Sequence, residues 1–281
     1  MSNTGPIGVF DSGYGGLTIL KELRKYLPQY DFIYLGDSAR APYGTKSFET
    51  VYRYTLECVK QLYKFNCPLI ILACNTASAK ALRKIQQEDL NDIDPALRVL
   101  GIIRPTAEII GNYSKTNNIG ILATKGTVES QSYLLEIQKF FPKVTVFQEA
   151  CKIWVPLIEN NEINNPGADY FIKKSIDKLN LTDNSIDTVL LGCTHYTLIE
   201  KEIKKHLPQH VQLVSQGAIV AKSLVEYLAR HREIDVSCTK NGTSKFYTTD
   251  VQRDFDISAS LFYNEEVRSS HINVESNNYF K

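Results

Sequence analysis

The sequence predicts an α/β fold, doubly wound with mainly parallel sheets, whose strands deliver polar residues to a common cleft at their carboxyl ends. Three observations carry this. Short apolar runs alternate with helical patterns almost from end to end, the pattern of parallel strands joined by crossover helices. A length of 281 residues exceeds one average domain and allows one large or two modest ones. Two cysteines, Cys74 and Cys193, stand 119 residues apart in matching frames, so the chain reads as a degenerate internal duplication.

The elements follow in order. Residues 7–10 are apolar and strand-like, and the Gly13-Tyr14-Gly15-Gly16 turn leads into a helix through Leu17, Leu20, Leu23 and Leu27. Residues 32–35 form the next strand. Val51, Tyr54, Val59, Leu62 and Phe65 line one face of a long amphipathic helix. Residues 69–73 read as a strand, with helix from Ser78 onward. Further strands are expected over 99–103, 119–122, 144–147, 188–191, 211–214 and 245–248. Asp11, Asp37, Cys74, Thr124 and Cys193 all fall at strand ends, where open parallel sheets bind ligands, and this argues for one shared cleft. Residues 269–281 are polar and expected to form a loose tail.

Composition excludes several classes. Hydrophobic residues at 43% and charged residues at 22% suit a globular chain with a packed core. Lys and Arg number 32 against 31 acidic residues, so no field favours direct nucleic-acid or anionic-membrane contact. The first residues lack the basic and apolar regions of a signal peptide, and no apolar stretch reaches the roughly 18 residues of a membrane helix. The six cysteines are dispersed and form no C-x-x-C pair, which favours reduced thiols in a cytoplasmic protein over disulfides or tetrahedral zinc.

The chemistry centres on the cysteines. Cys74 lies in Ala73-Cys74-Asn75-Thr76-Ala77-Ser78 and Cys193 in Gly192-Cys193-Thr194-His195-Tyr196. Each thiol stands where a strand hands over to a helix start, whose free N–H groups and dipole are expected to lower a thiol pKa from about 8.5 toward neutrality. Two such thiols in parallel frames suggest a pair that trades a proton, the arrangement a racemase needs. Asp11 and Ser12, before the glycine-rich turn, are placed to hold a ligand ammonium and to orient a neighbouring acid or base; the turn fits neither a dinucleotide fingerprint nor a phosphate loop. Tyr43 and the Gly44 backbone suit the floor of a carboxylate pocket. Asn75, Thr76 and Thr194 follow the thiols and suit an anion site, although helix capping alone would explain any one of them. His195 is placed to polarise Cys193, and C-x-H is also half of a metal site with no further ligands at motif-like spacing. Cys58, Cys67, Cys151 and Cys238 read as small apolar residues.

In order along the chain, Gly8-Val9-Phe10-Asp11-Ser12-Gly13, Gly36-Asp37-Ser38-Ala39-Arg40, Pro42-Tyr43-Gly44, Ala73-Cys74-Asn75-Thr76-Ala77-Ser78, Leu122-Ala123-Thr124-Lys125-Gly126-Thr127, Trp154-Val155-Pro156-Leu157-Ile158-Glu159 and Leu191-Gly192-Cys193-Thr194-His195-Tyr196 resemble the cofactor-independent glutamate racemases of bacterial cell-wall synthesis. The resemblance implies two α/β domains related by a pseudo-two-fold, 1–100 with 215–268 and 101–214, facing each other across the substrate. It implies Cys74 and Cys193 as the proton-exchanging pair, Asp11 assisting Cys74, and His195 with Glu159 assisting Cys193. It further implies Asp11, Ser12, Tyr43, Gly44, Asn75, Thr76, Thr194 and His195 as substrate contacts, with Thr124 and Thr127 also in reach. The implied partners are glutamate and a second copy of the chain, and no cofactor or metal is expected.

Tyr14, Arg104 and Thr197 depart from the family pattern: smaller aliphatic, acidic or other polar, and proline residues are more familiar there. Three other readings compete. One is a related aspartate or hydantoin racemase. Another is a thiol protein with a reversible Cys74–Cys193 disulfide. The third is a racemase-like protein that serves as a binding partner.

Overall fold

The computed structural model describes residues 4–274. Among these described residues ten strands run in chain order: β1 Ile7–Asp11, β2 Phe32–Gly36, β3 Leu69–Leu72, β4 Arg98–Gly101, β5 Asn118–Ala123, β6 Thr145–Ala150, β7 Thr188–Gly192, β8 Gln212–Val214, β9 Ser244–Thr248 and β10 Ser269–His271. Helices fill most of the intervals, as the alternating apolar runs require.

The strands form two sheets, and every pairing between them is parallel. The first has order β10-β9-β2-β1-β3-β4 and the second β6-β5-β7-β8. The first four strands of each sheet therefore repeat one order, second-first-third-fourth, and each of the two cysteines follows the third strand. β1 and β3 are neighbours in one sheet and β5 and β7 in the other. These are the points where strand order reverses, and a crevice opens there at the carboxyl ends. Asp11 ends β1 and Cys74 follows β3; Thr124 follows β5 and Cys193 follows β7.

The central strands β1, β2, β3 and β7 are buried along their whole length, which explains their unbroken apolar runs. Helix Leu17–Tyr26 buries Leu17, Ile19, Leu20 and Leu23, and packs beside helix Gly217–Arg230. One buried apolar cluster, including Val9, Ile71, Leu122 and Leu191, contains strand residues of both sheets.

Two expectations are corrected. Residues 269–281 were expected to form a loose tail, but Ser269–His271 pairs in parallel with β9 as an edge strand; 275–281 lie outside the described residues. So short a polar edge strand has no apolar period to betray it. The strand expected over 99–103 ends at Gly101, because Ile103–Ala107 coils into a helix with Pro105 in its first turn, where no N–H is needed.

No helix among the described residues is long and apolar enough to cross a membrane.

Candidate active site

Cys74 and Cys193 line one cleft between the two sheets, together with Asp11, Ser12, Asn75, Thr76, Thr124 and His195. Both thiols are 6% exposed and line the cleft. The Cys74 thiol donates to Ser12 Oγ at 3.5 Å, and its sulfur accepts the Ala77 N–H at 3.4 Å, capping helix Asn75–Lys80. That helix begins three residues before the expected start, with the thiol itself as the cap.

Cys193 is built differently. It leads into a 3-10 turn, Thr194–Ile199, and makes no capping bond. Its partner is His195, whose Nδ1 stands 3.8 Å from Cys193 Sγ while Nε2 stands 2.9 Å from Glu159 Oε1. Glu159 closes helix Trp154–Glu159, a separate element, so Glu159, His195 and Cys193 form a relay that only the fold assembles. Burial works against a charged imidazole here, but the bonds to Cys193 and Glu159 prevail and hold the His195 pKa well above its ordinary value. As an imidazolium, His195 donates at both nitrogens and sets positive charge against charge developing on the Cys193 sulfur.

The glycine-rich turn packs against this relay. A Cβ on Gly15 would stand 2.4 Å from His195 Nδ1 and from Thr194 Oγ1, so only glycine fits. Tyr34 Oη donates to Gly13 O at 2.9 Å and fixes the turn from below. The Asp11 carboxylate accepts the Gly13 N–H at 2.9 Å; burial raises its pKa, opposed by His195 and the N–H groups of Gly13 and Gly16.

A family model described as Asp/Glu/hydantoin racemase matches residues 15–224. The chain belongs to this family. As a racemase it is an isomerase. A curated glutamate racemase of Sulfurihydrogenibium sp. (strain YO3AOP1) is 39% identical over 252 residues, 89% of this chain and 91% of the relative. The crystal structure of a glutamate racemase isoform from Bacillus anthracis superposes with a TM-score of 0.87 at 31% identity, covering 96% of this chain and 98% of that one. A glutamate racemase from Francisella tularensis, solved with D-glutamate, gives a TM-score of 0.84 at 34% identity and full coverage of both chains.

Several expectations drawn from strand ends and helix starts are corrected. The Cys74 thiol is not lowered: burial and the nearby Asp11 carboxylate push it up to about 12, outweighing Ser12 and the Ala77 N–H. Helix Asn75–Lys80 has only six residues, too short for its dipole to offset desolvation. Asp37 does not line the cleft. It is fully buried beneath the loop, taking Arg40 Nε at 2.7 Å, Thr249 Oγ1 at 2.9 Å and the Tyr43 hydroxyl. Tyr43 lines the cleft, but its hydroxyl is committed to Asp37, leaving its ring and backbone to the cleft.

A Cβ on Gly44 would meet Thr124 Cβ at 2.9 Å, so glycine lets this loop touch the second half. Thr76 Oγ1 lies 2.9 Å from Thr124 Oγ1, which lies 3.1 Å from Thr127 Oγ1. Hydroxyls from both halves thus meet across the cleft, with Thr127 buried behind the other two. Thr194 also lines the cleft.

Sequence reasoning missed Phe262, whose ring meets the His195 ring edge-to-face at 5.3 Å. It also missed Tyr133 and Gln216, which hold the Asn75 side chain. Nothing in the local pattern of these residues marks them, since each works through a contact distant in sequence. Tyr14 lies 5.8 Å from Phe262 and 5.3 Å from Phe255, which accounts for an aromatic residue in the turn. Arg104 pairs with Glu108 at 2.9 Å on the surface. All six cysteines are free thiols, and among the described residues no group of three or more His, Cys, Asp or Glu is placed to hold a metal.

Proposed function

We propose that this cleft interconverts L- and D-glutamate by proton exchange between Cys74 and Cys193. The observation that carries it is the equivalent position of the two thiols, each after the third strand of its sheet and both lining one cleft. One thiolate takes the Cα proton, breaking C–H and forming S–H. The electron pair left on Cα is delocalised toward the carboxylate. The opposite thiol delivers its proton to the other face of Cα and becomes the new thiolate. Proton and charge balance, and the two sulfurs have exchanged states.

The difficulty is the weak acidity of an amino-acid Cα–H. Preorganised donors around the substrate carboxylate in a dry cleft lower that barrier. Asn75, Thr76, Thr194 and Thr124 are the donors we assign to this task, and Asp11 and Ser12 hold the ammonium group. Asp11 assists Cys74, and His195 with Glu159 assists Cys193. Two bases are required because one fixed group does not reach both faces of a stereocentre. Glutamate is supported as substrate by the glutamate racemases that this chain resembles over most of its length.

By the same reading, D-glutamate serves peptidoglycan synthesis, the enzyme is cytoplasmic and works as a homodimer, and closure of the halves 1–100 with 215–268 against 101–214 excludes water. The test is loss of optical rotation from L-glutamate, with Cys74→Ala and Cys193→Ala as controls. Racemisation by wild type and by neither variant supports the two-thiol reading. A wild type inert toward glutamate but active on aspartate or a hydantoin would move the substrate elsewhere in the family.

A further inference from the structure

The two chain connections between the sheets, one after β4 and one after β8, are tied by Gln216. It sits two residues past β8 and is 3% exposed. One Nε2 hydrogen is shared between Thr106 Oγ1 at 3.0 Å and Ile102 O at 3.3 Å, both in the other connection. The other Nε2 hydrogen goes to Tyr133 Oη at 2.6 Å. Tyr133 Oη donates to Asn75 Oδ1 at 2.6 Å, and Asn75 Nδ2 donates to Gln216 Oε1 at 2.8 Å. Gln216, Tyr133 and Asn75 thus close a hydrogen-bonded ring that is buried throughout.

The direction of the ring follows from elementary valence. Ile102 O only accepts, and Thr106 Oγ1 spends its hydrogen on it at 3.1 Å, so Thr106 must accept from Gln216. That fixes the amide nitrogen of Gln216 and hence its oxygen. The oxygen in turn fixes which end of Asn75 donates. Asn75 cannot flip without unpairing buried polar groups. One Nδ2 hydrogen goes to Gln216, and the second remains for the cleft that Asn75 lines.

We propose that Gln216 and Tyr133 are positioning residues that make Asn75 present an N–H donor to the substrate carboxylate, and that pin this donor to the hinge between the two halves. This rests on the racemase reading above. A closed ring polarises each member and holds the donor at a set angle, so the substrate meets a preorganised group.

The test is calorimetric binding of D-glutamate to wild type, Gln216→Glu, Tyr133→Phe, Asn75→Ala and the pair Asn75→Ala/Gln216→Glu, each checked for folding by thermal unfolding. Gln216→Glu and Tyr133→Phe should each raise Kd about tenfold. The pair should bind within about twofold of Asn75→Ala alone, since Gln216 acts through Asn75. Gln216→Glu should recover affinity as pH falls from about 8 to about 5, because burial at this position raises the carboxyl's pKa and lets it regain a donor hydrogen. Unchanged Kd in the two folded single variants, or additive losses in the pair, would overturn the inference. If Gln216→Glu fails to fold, Tyr133→Phe, which removes one hydroxyl, decides alone. A wild type that binds no glutamate fails the proposed function instead.

Discussion

Glu159 Oε1 and His195 Nε2 lie 2.9 Å apart, and the other ring nitrogen of His195 faces Cys193. Cys74 has no such relay; its neighbours are Ser12, the Ala77 N–H and the buried Asp11. The two thiols therefore occupy equivalent strand ends but unlike electrostatic surroundings. An imidazolium faces one and a carboxylate the other.

Glu159→Gln should lower kcat/KM about 10- to 100-fold, because the carboxylate that helps to keep His195 charged is gone. Enantiomers have equal free energy in water, so kcat/KM must fall equally in both directions. The unlike surroundings of the thiols should appear as unequal changes in kcat. Steady-state kinetics from L- and D-glutamate measure both.

Alkylation should separate the thiols. With Cys74 pushed up to about 12, iodoacetamide should label it slowly near neutrality and faster as pH rises. Cys193, facing His195, should label first. Asp11→Asn removes the neighbouring carboxylate and should speed Cys74 labelling at fixed pH while lowering activity. Peptide mass spectrometry reads each site, and equal rates at both would contradict the asymmetry.

Stability should respond to the same group. The folded Cys74 thiol, at about 12, lies well above its ordinary value, so between the two the folded state holds a proton that the unfolded chain loses. Stability is therefore lost as pH rises through that window, and Cys74→Ala should flatten the decline. Thermal unfolding of both proteins at alkaline pH measures the difference.

Gly15→Ala should cost far more activity than stability. The added Cβ would displace His195 or Thr194, and a shift of about 1 Å in a reacting group costs on the order of 100-fold in rate. A variant that keeps its thermal midpoint but loses that rate bears out the close approach; unaltered kcat would refute it.

Much of the fold was legible because buried parallel strands are written as unbroken apolar runs. β1, β2, β3 and β7 are of this kind, and Asp11, Cys74 and Cys193 follow from them as strand-end residues. β10 was illegible because a three-residue polar edge strand carries no period. The Cys74 environment was misjudged because a helix start is visible in sequence, whereas the burial and carboxylate that overcome it are not. Tyr133 and Gln216 escaped notice because Asn75 meets them across 58 and 141 residues of chain.

The most direct test of proton exchange between two thiols is early-time isotope incorporation. Protiated L-glutamate would be incubated with enzyme in D₂O, and recovered L- and product D-glutamate separated and weighed by mass spectrometry before equilibrium. Exchange between Cys74 and Cys193 predicts deuterium at Cα of the D-glutamate and none in the remaining L-glutamate, since the proton leaves to one sulfur and its replacement comes from the other. Protium carried over into the product, or deuterium appearing equally early in both enantiomers, would contradict it.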